Sequence, residues 1–111
     1  MSFWKFGQMT NAALEIEKKQ ISKIIRVLRD SLNPSRIYLF GSRVAGTSKK
    51  YSDFDIAIEG HMVTFRELRR VKEKLDEVLG VYSCDLIELE KVSTDFKDLI
   101  RRQGKIIYER N

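Results

Sequence analysis

The sequence predicts an α+β fold, a small mixed β-sheet with helices packed on one face. Three observations predict it. Apolar residues recur at three- and four-residue steps over 12–32 and again over 68–79, the period of helices with one buried stripe. Short apolar runs at 36–40, 54–58 and 81–89 are spaced among those helical stretches, as strands would be. Three strands cannot hide their apolar sides alone, so the helices must cover them.

The first helix carries Leu14, Ile21, Ile24, Ile25, Leu28 and Leu32 on its stripe. Charged Glu15, Lys18, Lys19, Lys23, Arg26 and Arg29 fill its other faces. Asn33-Pro34-Ser35 ends it, because proline cannot continue a helix and restricts the residue before it. The run 36–40 is apolar on both faces, which puts it inside the sheet. Residues 41–52 form a loop with one helical turn at 43–45; 54–58 is a second buried strand and 59–61 a turn.

Thr64 and Glu67 have the spacing of a capping box at the start of the next helix. Its inner side carries Leu68, Val71, Leu75, Val78 and Leu79, and Gly80 stops it. The region 81–89 is a third strand with Asp85 inside it. Residues 94–102 read as a short helix with Phe96, Leu99 and Ile100 inward, stopped by Gly104. Ile106-Ile107-Tyr108 is either a short edge strand or a helix extension. No internal repeat, linker or low-complexity segment interrupts the order.

The totals set limits. A chain of 111 residues has room for one core, so a single domain is expected over 1–111. Apolar residues at 42% and charged residues at 33% describe a globular chain, not a disordered one. No apolar run approaches the roughly 20 residues of a membrane helix. Residues 1–10 hold one lysine and the aromatics Phe3, Trp4 and Phe6, which is not the pattern of a secretory signal. That aromatic segment suits a partner-docking patch, a flap over the core, or an unstructured end. Cys84 has no partner for an internal disulfide. Together these points favour a reducing cytoplasm.

A net charge of +5 favours anionic partners such as nucleotides, nucleic acid or an acidic protein. The surplus sits mainly at Lys18-Lys19, Arg66, Arg69, Arg70 and Arg101-Arg102, inside helical patterns. Solvated helix faces account for it, so the support for nucleic acid is weak.

The chemistry is concentrated in 37–58. Gly41-Ser42 directly follows a strand; glycine lets the backbone approach a phosphate, and the serine hydroxyl and nearby amides can donate to it. Arg43 would add a positive charge. Asp53 and Asp55 alternate along a strand, so their side chains share a face with Cα atoms roughly 6.6 Å apart. Two such carboxylates repel unless a hard cation sits between them, and Mg²⁺ suits oxygen ligands and phosphates. Asp85 is a charge within an apolar strand; if that strand neighbours 53–58, it completes a cluster of three carboxylates. Taken one at a time, these features also describe a strand-ending turn, a solvated strand edge and an aspartate paired with an arginine. Lys49, Lys50 and Tyr51 lie in the loop beside the motif, where solvation is the default. His61 reads as an exposed turn residue and Cys84 as a small buried one.

In combination, Gly41-Ser42-Arg43, Gly46 and Ser52-Asp53-Phe54-Asp55-Ile56, followed by Asp85, resemble the signature of the DNA polymerase beta-like nucleotidyltransferase superfamily. The chain's size and element order resemble its minimal nucleotidyltransferase (MNT) branch, the antitoxins of HEPN/MNT toxin–antitoxin pairs. That resemblance implies the polymerase beta-like fold. It implies that Gly41, Ser42 and, more loosely, Arg43 hold the triphosphate of ATP. Asp53, Asp55 and Asp85 would bind two Mg²⁺ ions, with Asp85 on the one that activates the incoming hydroxyl. AMP would pass to a hydroxyl, a tyrosine of a HEPN-domain toxin. Two other functions stay open: a binding module that neutralises a partner by covering it, and nucleotide transfer to RNA or a small molecule. A homo-oligomer also stays open.

Overall fold

The structure is a computed structural model that describes residues 11–60 and 62–111. The aromatic segment with Phe3, Trp4 and Phe6, and His61, lie outside the described residues. In chain order the elements are α1 (Asn11–Leu32), β1 (Arg36–Phe40), α2 (Ser42–Ala45), β2 (Phe54–Glu59), α3 (Phe65–Leu79), β3 (Cys84–Glu88), a 3₁₀ turn (Leu89–Lys91), α4 (Thr94–Gln103) and β4 (Lys105–Glu109). The strands form one mixed sheet in the order β3-β2-β1-β4. β1 runs antiparallel to both β2 and β4, whereas β2 and β3 are parallel. A parallel pair needs a crossover, and α3 supplies it.

Each helix starts and stops where local chemistry dictates. Asn33 leaves α1 with a positive φ of 49°, its N–H still donating to the carbonyls of Leu28 and Arg29. Pro34 then blocks another turn. At the start of α3, Thr64 Oγ1 accepts from the Glu67 N–H at 3.1 Å, and Glu67 Oε1 accepts from the Thr64 N–H at 3.0 Å. This capping box satisfies two amides that the helix itself cannot. Ser93 caps α4 with a single bond, its Oγ accepting from the Phe96 N–H at 3.3 Å.

The main core lies where α1 and α3 cover one face of the sheet. Ile24, Leu28 and Leu32 from α1 and Val71, Leu75 and Leu79 from α3 meet Ile37, Leu39, Phe54, Ile56, Ile58 and Leu86. The expectation of helices on one face holds for these two long helices. α4 departs from it. Ile100 of α4 and Leu89 of the 3₁₀ turn bury against Tyr38 and Ala57, which point to the opposite face. The cause is that β1 and β2 are apolar on both sides, and a second apolar face needs its own cover.

Ile106-Ile107-Tyr108 forms strand β4, not a helix extension. It pairs with β1 through a register shift between Ile37 and Tyr38. A polar cluster secures this side. Arg36 donates to Glu109 at 2.8 Å, and Glu59 accepts from both Tyr38 and Arg101. Arg101 thereby ties α4 to β2.

Candidate active site

β1 delivers its chain end to a sharp turn. Gly41 has φ 76° and ψ −150°, a conformation that side chains rarely tolerate. Its carbonyl accepts from the N–H groups of Val44 and Ala45, which starts the single turn of α2. Gly46, at φ 82°, closes that turn. A Cβ on Gly41 would collide with Asp55 Oδ2 and stand 2.9 Å from its Cγ. The glycine therefore serves two ends: it permits the turn, and it lets the Asp55 carboxylate rest against the backbone. That contact joins the two motifs of the central stretch.

Asp55 sits in β2 between two register partners, Phe40 on β1 and Asp85 on β3. The apolar neighbours Phe54 and Ile56 point into the helix-covered core. Alternation turns Asp55 and Asp85 to the opposite face, at the end of the sheet. The parallel pairing thus brings together two carboxylates thirty positions apart in sequence (85 less 55). Asp53 stands one residue before β2 and accepts a hydrogen bond from Ser83 Oγ. Burial pushes the Asp55 carboxyl above the usual carboxylate range, and the charges of Asp85 and Asp53 push it further; Arg43 partly offsets them. The structure therefore brings Gly41, Ser42, Asp53, Asp55 and Asp85 to one sheet end.

Arg43 corrects the sequence reading. Its side chain is not free to meet a phosphate. It is buried, with Nη1 donating to Glu17 Oε2 at 2.9 Å and Nη2 donating to the Ser52 carbonyl at 2.7 Å. A further bond reaches the Lys50 carbonyl, and the guanidinium lies 4.0 Å from the centroid of the Phe54 ring. Arg43 clamps the loop that presents Asp53. A residue directly after a phosphate-type turn invites the phosphate reading, but the α2 turn points this side chain inward.

Sequence reasoning missed Glu17 and Ser83. Glu17 had a signal: it falls on the apolar stripe of α1, three residues after Leu14 and four before Ile21. A carboxylate in a buried stripe needs a cation, and Arg43 is that cation. Ser83 had none, because its bond to Asp53 depends on the register of β3. Cys84 is half-buried, and burial with the nearby carboxylates pushes its thiol up to about 12, so it is not a reactive thiol.

Among the described residues, no three His, Cys, Asp or Glu side chains converge closely enough, as they stand, to hold a metal ion. The donor chemistry nevertheless fits a hard cation: three carboxylates, two in register, with Asp55 held under like-charge repulsion. A cleft of about 600 Å³ opens beside Gly41, between α2 and α4, lined by Phe40, Val44, Phe96 and Leu99. None of the three aspartates lines it. The carboxylates stand on an open end of the sheet.

A family model described as polymerase beta, nucleotidyltransferase, matches residues 22–111. The chain belongs to that family. A probable protein adenylyltransferase MntA of Haemophilus influenzae is 32% identical over 100 residues, spanning 89% of this chain and 88% of the relative. A crystal structure of a toxin–antitoxin with AMP-PNP superposes with a TM-score of 0.70 at 32% identity, covering 82% of this chain and 74% of that one. A complex of tri-AMPylated Shewanella oneidensis HEPN toxin with MNT antitoxin gives a TM-score of 0.67 at 30% identity, covering 85% and 73%. As a nucleotidyltransferase, this polymerase beta family member takes a nucleotide substrate, a reaction that typically uses a divalent metal. No helix among the described residues is long and apolar enough to cross a membrane.

Proposed function

We propose that the chain is an adenylylating antitoxin: it transfers AMP from ATP to a tyrosine hydroxyl of a HEPN-type toxin. The observation that carries this reading is the Asp55–Asp85 register pair with Gly41 against Asp55. The relatives' names and complexes supply the acceptor class.

Gly41 and Ser42 receive the triphosphate through backbone N–H groups and the serine hydroxyl. Asp53, Asp55 and Asp85 would hold two Mg²⁺ ions, which would supply charge neutralisation for an in-line displacement. Ser83 holds one Asp53 oxygen and so orients the carboxylate, whose other oxygen can turn to a cation. Arg43 keeps the loop in place from within the core. The open sheet end leaves room for a macromolecular acceptor and leaves water exclusion to that partner.

The test mixes the protein with a HEPN toxin, labelled ATP and Mg²⁺. Label is expected on one toxin tyrosine and lost with Asp53→Ala. Label that is absent from every protein, or equal in the variant, refutes the reading. If Asp53→Ala/Asp55→Ala still protects cells from the toxin, neutralisation by binding replaces it.

A further inference from the structure

The site has a charged end and an apolar end, and they meet at Gly41. On one side of that glycine the Asp55 carboxylate rests against the backbone. On the other, Gly41 forms part of the wall of the cleft between α2 and α4. Phe40 makes the same link one residue earlier. It pairs directly with Asp55 across β1 and β2, so the two side chains leave the same face of the sheet, with Cβ atoms roughly 4.5–5.5 Å apart. Phe40 also lines the cleft. A group bound over Asp55 is therefore one side chain away from that cleft.

Among the described residues that line the cleft none is charged, and Gln103 alone has a polar side chain. Phe96 and Leu99 of α4 stand exposed there. The Phe40 and Phe96 rings meet edge to face, with centroids 5.9 Å apart and planes at 86°. They form a two-walled corner that a flat heterocycle can fill, stacked on one ring and touched by the edge of the other. The cleft's volume of about 600 Å³ falls within the roughly 300–1,000 Å³ of small-molecule sites.

The occupant follows from the shape of the substrate. A nucleoside triphosphate is itself charged at one end and flat and nearly uncharged at the other. Its α-phosphorus must lie over the carboxylates, and its β- and γ-phosphates belong at the Gly41–Ser42 turn. The nucleoside is left to be placed. The cleft suits that part and offers nothing to the phosphates. A second hollow, of about 350 Å³ beside Tyr82, lies on the wrong side: Phe54 lines it, and Phe54 faces the helix-covered core, away from Asp55.

We infer that the cleft between α2 and α4 is the base subsite: the purine of ATP stacks in the Phe40–Phe96 corner, and the Gln103 amide reads its edge. This inference rests on the adenylyl-transfer reading and names the residues that select its nucleotide. Phe96, Leu99 and Gln103 recur at three- and four-residue steps, so one face of α4 presents all three to the cleft. Gln103 ends that helix with an exposed side chain, whose amide holds donors and an acceptor side by side. Adenine offers the matching pair, an N6 amino donor beside a ring-nitrogen acceptor, which one glutamine amide can engage. A pyrimidine brings a smaller ring to the same corner and stacks less.

Titration calorimetry with the full chain and Mg²⁺ compares two probes. One is α,β-methylene-ATP, whose bridge to the α-phosphorus cannot break; the other is inorganic tripolyphosphate, which carries the phosphates without a nucleoside. Phe96→Ala is expected to weaken the ATP analogue at least about fivefold and to leave tripolyphosphate unchanged. Wild-type affinity of Phe96→Ala for the analogue overturns the inference and leaves the transfer reading intact. The same result joined to lost capture of the HEPN toxin also overturns it, and makes the cleft a partner surface. If Phe96→Ala loses both probes, Gln103→Ala decides, since it changes only an exposed side chain. The analogue then binds at least about twofold more weakly if the amide reads the base, and as in wild type if it does not. If the wild-type chain binds neither probe, the transfer reading falls, and this inference with it.

Discussion

Arg43 Nη1 and Glu17 Oε2 meet at 2.9 Å with both side chains almost fully buried, at 4% and 7% exposure. The pair bridges α1 and α2, so the first long helix holds the turn beside the site. Breaking a buried pair from one side strands a charge in the core, which costs about 3–5 kcal/mol. Glu17→Ala is therefore expected to lose stability on that scale in urea unfolding. Arg43→Lys is expected to fall well short of wild type, because an ammonium cannot reach Glu17, Ser52 and Lys50 with one planar fork. A loss below about 1 kcal/mol for Glu17→Ala would show that the pair does not hold the turn.

Gly41→Ala tests the junction of the two motifs. The residue sits at φ 76°, and a methyl group there meets the Asp55 carboxylate. Expected are a stability loss of about 1–3 kcal/mol and a transfer rate lowered more than that loss explains, since Asp55 must move. Wild-type transfer at substrate saturation would refute the close approach as a requirement.

Charge at the carboxylate cluster sets stability against activity. Asp55 and Asp85 are like charges directly across a ladder, which destabilises by about 0.2–1 kcal/mol. Asp55→Asn is expected to raise the unfolding free energy by that amount in EDTA while lowering transfer at least about 10²-fold. Wild type, but not the variant, should regain the difference on adding Mg²⁺. A variant less stable than wild type in EDTA contradicts the repulsion.

Glu59 sets part of the acid limit. Burial alone would raise its carboxyl, but bonds from Arg101 and Tyr38 and the charges of Arg101 and Arg36 hold it below the usual range. A depressed folded value means stability that is present above the ordinary carboxylate pKa and lost as pH falls through the folded value. Glu59→Gln should cost about 1 kcal/mol at pH 7 and flatten the loss of stability below about pH 4.5. An unchanged acid limb in urea titrations would assign that loss to other carboxylates.

The sequence was most legible where pattern is long. The stripes of α1 and α3, the Asn33-Pro34 stop and the Thr64–Glu67 box each repeat one instruction several times, and the structure follows them. Ile106-Ile107-Tyr108 was ambiguous because three apolar residues carry no period, and only pairing with β1 makes them a strand. The side taken by α4 was hidden for a similar reason: apolar residues on both faces of β1 ask for cover without saying which helix gives it. Spacing suggested that Asp53, Asp55 and Asp85 belong together, but their juxtaposition depends on the parallel register. Arg43 was misread because side-chain direction after a turn is set by backbone angles, which residue identity does not report.

The parallel pairing of β2 and β3 also sets a clock. The chain leaves the ribosome with Asp55 about thirty residues ahead of its partner Asp85. At roughly 5–20 residues per second that is a delay of a few seconds, and α3 must cross the sheet before the pair can form. A nascent chain that ends before β3 therefore carries both motifs of the central stretch without the Asp85 that pairs with Asp55. In the proposed reading the site is therefore complete only once β3 is in place, and a chain cut short ahead of β3 lacks one of its three carboxylates.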